Sequence, residues 1–360
     1  MARETALALS NDGGAAGQNL LGVLYESGLG VEPDTPRAIA YYEAAIAQGS
    51  DRAMTNLGML YTLGADGFDP QPDQALPLLE RAIALGNVGA INTLGVFYER
   101  GGLGGAPDYE APIQNYREAM ALGDLDAAAN LGGLYADGLG VAQDYARARA
   151  YYGIAAEGGL ARAMEYLAWL TEFGHGGPPD VPLALAWYER AADAGNVASL
   201  YALGDILFNG AEGVAVDIPR AMEFFERGHA AGSIDSSYML GWIYEGGHGV
   251  PADSARALGY YRAAFEGGSP EATQVMGVLY QEGGLLPVDL VYARHLLMQA
   301  VQMDVQRAFN ELGIMMIDGR GGPVDWPRAE ALFRGGYRRG SPVAAINLAR
   351  LFEQHRVSGL

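Results

Sequence analysis

Apolar residues follow a helical spacing along the chain, and the pattern restarts every 36 or 37 residues. In residues 17–49, Gly17, Leu21, Leu24 and Tyr25 fall at i, i+4, i+7 and i+8, one face of a helix. Gly28-Leu29-Gly30 ends that helix, because glycine tolerates the left-handed cap conformation. Asp34 then offers an N-cap oxygen, and Pro36 sits in the first turn of a second helix, where its missing N–H is harmless. Ala38, Tyr41, Tyr42 and Ala45 make the apolar face of that second helix, and Gly49 closes it. Each unit therefore reads as a helix pair, A then B.

The same grammar recurs throughout. An anchor residue stands at Leu21, Leu57, Leu94, Leu131, Leu167, Leu203, Leu240, Met276, Leu312 and Leu348. Glycine follows it, except where Ala168 and Ala349 replace it, and six units place a Tyr four residues after the anchor. The B-helix cap is Asp34, Asp108, Asp144, Asp180, Asp217, Asp253, Asp289 or Asp325, with Gln71 the exception. Paired aromatics mark helix B, as in Tyr151-Tyr152, Trp187-Tyr188, Phe224-Phe225 and Tyr260-Tyr261. Self-similarity at this period predicts an all-α solenoid whose stacked units share one core, so a domain count from length does not apply. Nine full repeats span 17–341. Residues 1–16 read as an N-terminal partial helix or cap, and 342–360 as a capping helix and tail whose wet face carries Arg350, Glu353, Gln354 and Arg356.

Residues 127–159 show the repeat almost intact: Ala127, Leu131, Gly132, Tyr135, Gly138, Gly140, Val141, Asp144, Arg147, Ala148, Tyr151, Tyr152, Ala155, Ala156 and Gly159. This pattern resembles the Sel-one-like repeat family, a relative of the tetratricopeptide repeats. The resemblance implies a right-handed α/α superhelical solenoid acting as a non-catalytic adaptor or scaffold for other proteins. One branch of the family is cysteine-rich and associated with β-lactams. A β-lactam-associated hydrolase or ligand binder is therefore one alternative. Toxin-neutralising or host-directed effectors and structural subunits of larger assemblies are others.

Charge and composition narrow the chemistry. A formal charge of −20 disfavours nucleic acid and anionic membrane surfaces as partners. The chain has no Cys, which excludes disulfides, thiolate catalysis and Cys-ligated zinc. It has no Lys either, all 23 basic residues being Arg, which removes a P-loop lysine and Schiff-base chemistry. Codon bias accounts for that absence more simply than avoidance of lysine-directed modification. The absence of Lys and Cys also weighs against the β-lactam alternative.

The five histidines form no zinc motif. His175 and His248 occupy the same A–B turn position, eight after the anchor, and are expected roughly 20 Å apart with solvated rings if helices pack 8–10 Å from their neighbours. Asp66, Asp69 and Asp73 lack the spacing of a calcium loop. The cap Asp is often followed three residues later by Arg, as at Arg37, Arg147, Arg220, Arg256 and Arg328, and reads as a capped helix start with a surface neighbour. No cofactor is called for. No apolar run reaches 18 residues, so no membrane insertion is expected. Met1 to Gly14 lacks the apolar core of a signal peptide. The chain as written therefore reads as cytoplasmic, or as periplasmic or secreted if its N-terminus is processed.

By analogy with tetratricopeptide superhelices, a concave groove is lined by positions two before, two after and five after each anchor. Repeats five to seven stand out there, with Glu165, Trp169, Glu172, Tyr201, Asp205, Phe208, Tyr238, Trp242 and Glu245. Rigid aromatics rimmed by acids suit a basic or amphipathic protein or peptide segment. The competing reading packs these rings between successive A helices, although Leu170, Ile206 and Ile243 already occupy the core positions.

Overall fold

A computed structural model describes residues 14–104 and 109–358. The partial helix expected before residue 14, the Asp108 cap and the side chains of Gln354, His355 and Arg356 lie outside the described residues. Nineteen helices follow in order: α1 (Ala15–Ser27), α2 (Thr35–Ile46), α3 (Asp51–Leu63), α4 (Pro72–Ala84), α5 (Val88–Glu99), α6 (Glu110–Ala121), α7 (Leu125–Asp137), α8 (Tyr145–Glu157), α9 (Ala161–Glu172), α10 (Val181–Asp193), α11 (Val197–Asn209), α12 (Ile218–Ala230), α13 (Ile234–Gly246), α14 (Ser254–Glu266), α15 (Pro270–Glu282), α16 (Leu290–Gln302), α17 (Gln306–Asp318), α18 (Trp326–Arg338) and α19 (Pro342–Ser358). Odd-numbered helices are the A helices of the repeats and even-numbered ones the B helices. No strand forms among the described residues; two isolated bridges, Ala65 to Phe68 and Ala211 to Val214, close A–B turns. The fold is an all-α solenoid of helix-turn-helix repeats. The chain divides into two compact units at Trp187–Tyr188, within α10.

Local chemistry starts and stops each helix. The Asp34 carboxylate accepts from the Arg37 N–H at 3.0 Å, satisfying one of the orphan donors at the start of α2. Asp144, Asp253 and Asp325 repeat this bond at α8, α14 and α18. Gly28, at φ 70°, ends α1 in the left-handed conformation.

The glycine after the anchor is a packing device. A Cβ on Gly22 would sit 2.5 Å from the Tyr42 ring, and one on Gly241 2.6 Å from the Tyr261 ring. Helix B thus presses a fully buried ring onto the bare backbone of helix A. In the second and eighth repeats Leu79 and Leu297 take the place of that ring against Gly58 and Gly277.

The motif Tyr lies on the other side of the A–B contact. Tyr25 stacks on Tyr41 with centroids 5.6 Å apart, and the Arg37 guanidinium covers the ring's other neighbourhood at 5.5 Å. Tyr135–Tyr151 with Arg147 and Tyr244–Tyr260 with Arg256 reproduce this stack. The Asp–Arg pair is therefore a cap plus a ring cover, with an exposed ion pair that adds little.

Successive A helices are also tied by side-chain rungs. In the first unit Asn56 donates to Asn19 and Asn130 to Asn92, both at 3.0 Å. In the second unit Gln274 donates to Glu311 at 2.6 Å and Asn347 to Asn310 at 2.5 Å. Each rung joins the residue two before one anchor to the residue one before the next. Tyr201 and Tyr238 hold the first of these positions in the sixth and seventh repeats, and their rings lie instead on Phe225 and Tyr261 at 6.0 and 5.8 Å.

Candidate functional site

Replacing polar rungs by rings changes the A-helix surface of the second unit. Phe208, at the end of α11, meets Trp242 of α13 edge-on at 5.8 Å. Phe208, Tyr201, Tyr238 and Trp242 are all half-buried, so each packs on one side and is open on another. A cavity of about 430 Å³ opens here. Phe208, Tyr238 and Trp242 form its aromatic wall, and Glu271 and Gln274 of α15 with Asp304 and Arg307 at the start of α17 form its polar wall.

Three of the nine sequence-derived site residues thus meet in one cavity. The others fall elsewhere. Tyr201 and Asp205 of α11 are outside its lining. Asp205 is half-buried; burial raises its carboxyl above the usual range, against the pull of a 2.8 Å bond from Asn209. Glu245 accepts from the Tyr261 hydroxyl at 2.7 Å. Burial first, and then that carboxylate, raise the Tyr261 hydroxyl. Glu26 with Tyr42 and Glu99 with Tyr116 form the same pair, so the glutamate five after the anchor fastens the helix-B tyrosine.

In the first unit, Trp169 ends α9 with 42% of its surface exposed. It leans on Phe173 at 5.7 Å and on His175 at 4.8 Å. Glu165 and Glu172 are half-buried on the same helix, and each is engaged by another group.

The expectation of solvated turn histidines is corrected by two stacks. His175 lies between Trp169 and Tyr145, at 4.8 Å from each ring. His248 stacks on Trp242 at 3.9 Å with planes 18° apart. In both repeats the A–B turn folds back over the end of helix A, so the eighth residue after the anchor lands on the second. The spacing Trp-x5-His is the signal that sequence reading passed over. Arg307 and Glu271 were missed because both lie five before their anchors, a position outside the three assigned to the groove.

Catalytic chemistry finds little support in the side-chain arrangement. His229 Nδ1 lies 2.9 Å from Ser237 Oγ. That hydroxyl already donates to the Ser233 carbonyl at 2.8 Å, and Ser237 is 4% exposed, so no substrate carbonyl reaches it. Among the described residues no three acidic or histidine side chains converge as a metal site, Asp66, Asp69 and Asp73 included.

The Sel1 repeat model matches residues 15–50, 51–87, 125–160, 161–196, 197–233, 234–269 and 270–305. The chain belongs to the Sel1 repeat family. Residues 88–124 and 306–341 fall outside those seven matches, yet α5–α6 and α17–α18 form A–B pairs there. Among solved structures, the chain is similar to c5321, a protective antigen present in uropathogenic Escherichia coli strains and displaying an SLR fold. The two share 25% identity over 95% of this chain and 73% of that one, with a TM-score of 0.67. It is also similar to a Sel1 repeat protein from Oxalobacter formigenes, at 27% identity over 87% of this chain and 90% of that one, with a TM-score of 0.66. No curated protein matches the chain. Sel1 repeats generally mediate protein interactions, and the family is generally non-catalytic. Among the described residues no Sel1 helix here is long and apolar enough to cross a membrane.

Proposed function

We propose that the chain is a non-catalytic scaffold that binds a segment of another protein on the A-helix face of its second unit. The cavity walled by Phe208, Tyr238 and Trp242 carries this reading. Half-buried rings held by neighbours are rigid anchors that lose little entropy on binding, which is why aromatics dominate interface hot spots. The surrounding acids, Asp205, Asp235 and Glu271, all act on the Tyr201 hydroxyl and give that end of the face a negative field. A formal charge of −20 extends that field over the whole chain and favours approach of a basic or amphipathic segment. Trp169 in the first unit is a separate exposed anchor of the same kind.

The test is affinity capture from the native host with a C-terminally tagged chain, wild type beside Trp242→Ala and Trp169→Ala. A protein held by wild type and lost by Trp242→Ala supports the reading. A protein held equally by all three places its binding on another surface and removes the case for this one.

A further inference from the structure

The cavity carries two charges of opposite sign whose arrangement differs from that of the same positions elsewhere in the chain. Glu271 and Arg307 each stand five residues before their anchors, Met276 and Leu312, on successive A helices. In the first unit that position is held by Asp126 and Arg162, which close on each other in an ion pair at 2.8 Å. Arg162 also reaches Asn130 at 3.2 Å. Glu271 and Arg307, in contrast, make no ion pair with each other among the described residues, and both line the cavity. Asp304, the other acid there, is taken up by Arg339. Glu271 receives only a long bond of 3.4 Å from the Ser269 hydroxyl. Tyr238, on the aromatic wall, senses both charges: burial raises its hydroxyl, Arg307 lowers it and Glu271 raises it again.

Resting on the scaffold reading, we infer that this cavity selects a partner segment whose bulky apolar residue is flanked by a basic residue on one side and an acidic residue on the other. The apolar side chain fills the space beside Phe208 and Trp242. The basic side chain meets Glu271, on the side of Asp235 and Asp205. The acidic side chain meets Arg307. A segment with one sign of charge leaves either Glu271 or Arg307 facing a like charge, and one without charge covers both without giving either a new partner. The face is thus selective for a dipolar motif, more specific than attraction between an acidic scaffold and a basic partner.

Four acetylated and amidated nonapeptides with a central Phe test this. One carries Arg before and Glu after the Phe, one the reverse, one Arg on both sides and one Glu on both sides. Titration calorimetry with the full chain is expected to show one of the two mixed peptides binding at least about threefold more tightly than either same-sign peptide, the scale of partly screened ion pairs. Arg307→Glu is expected to shift the preference to the Arg-flanked peptide, and Glu271→Arg to the Glu-flanked one. Both residues are exposed, and helical content by circular dichroism checks that the variants fold. The inference is overturned if a same-sign peptide binds wild type as well as the tighter of the two mixed ones, or if neither reversal changes the order. If no peptide binds while a captured native protein still depends on Trp242, the dipolar motif is wrong and the scaffold stands. If that dependence also fails, both fall.

Discussion

The Gln274 side-chain amide donates to the Glu311 carboxylate across 2.6 Å, joining two successive A helices through residues 37 apart in sequence. Burial pushes the Glu311 carboxyl up to about 7, against the pull of that bond and of Arg307. The folded state therefore holds its proton more tightly than the unfolded chain does. Its contribution is fully present below about 4.5, the unfolded value, and is lost as pH rises through about 7. Between pH 5 and 8 the wild type is expected to lose on the order of 2 kcal/mol more stability than Glu311→Gln, at 1.36 kcal/mol per pKa unit. Urea unfolding of both proteins at several pH values measures this; parallel curves would refute it.

Gly241→Ala places a Cβ 2.6 Å from the Tyr261 ring. The clash should outweigh the helix propensity that alanine brings and cost about 1–3 kcal/mol. Gly259→Ala is the control, since nothing lies within 4 Å of its Cβ position in α14. It should stabilise by about 0.5–1 kcal/mol. Opposite shifts of the denaturant midpoint, with one slope, are the expected outcome.

Asp253 accepts from the N–H groups of Ala255 and Arg256, at 3.1 and 3.0 Å. Its replacement by Ala should cost about 1 kcal/mol, the usual worth of an N-cap. Arg256→Ala removes an exposed ion pair and a ring cover, and its loss should be the smaller of the two. Thermal unfolding of the two variants ranks them. A larger loss for Arg256→Ala would show that the ring cover, and not the cap, holds this turn.

His248→Ala should uncover one face of Trp242, on which the imidazole stacks at 3.9 Å. Tryptophan emission is expected to shift to longer wavelength while helical content stays unchanged. An unshifted spectrum would mean that the indole face is shielded by other groups.

What could be read from the sequence depended on how far apart the interacting residues lie. Leu240, Gly241, Tyr244, Asp253 and Tyr261 sit within one repeat, so their spacing alone locates the anchor, the aromatic positions and the cap. Trp242, Phe208 and Tyr238, which line the cavity, share the outward phase on helix A, and that phase is also a local property. Arg307 and Glu271 lie at the start of the helix, outside the groove phase, which covers only its middle and end. Glu245 has the phase of an outward acid, yet it accepts a bond from Tyr261 of the next helix, which its position in the repeat does not reveal. The rungs, such as Asn19 to Asn56, join residues that no single repeat contains, and Trp242 with His248 required the path of a turn.

The rungs carry an evolutionary consequence. Each one links a repeat only to its immediate neighbour, at a constant phase, while the glycine–ring contact lies wholly inside a repeat. A duplication or excision of one whole repeat, cut at any phase, therefore keeps the glycine–ring contact, and it forms a rung wherever the two positions brought together are polar partners. Loss of a single residue inside a helix shifts the phase of both, whereas units of 36 and of 37 residues both carry them. Gene-level growth and shrinkage by whole repeats is thus structurally cheap for this architecture, and ring-for-rung exchanges, like those at Tyr201 and Tyr238, let one stretch of the array acquire a new surface while its neighbours keep the old one.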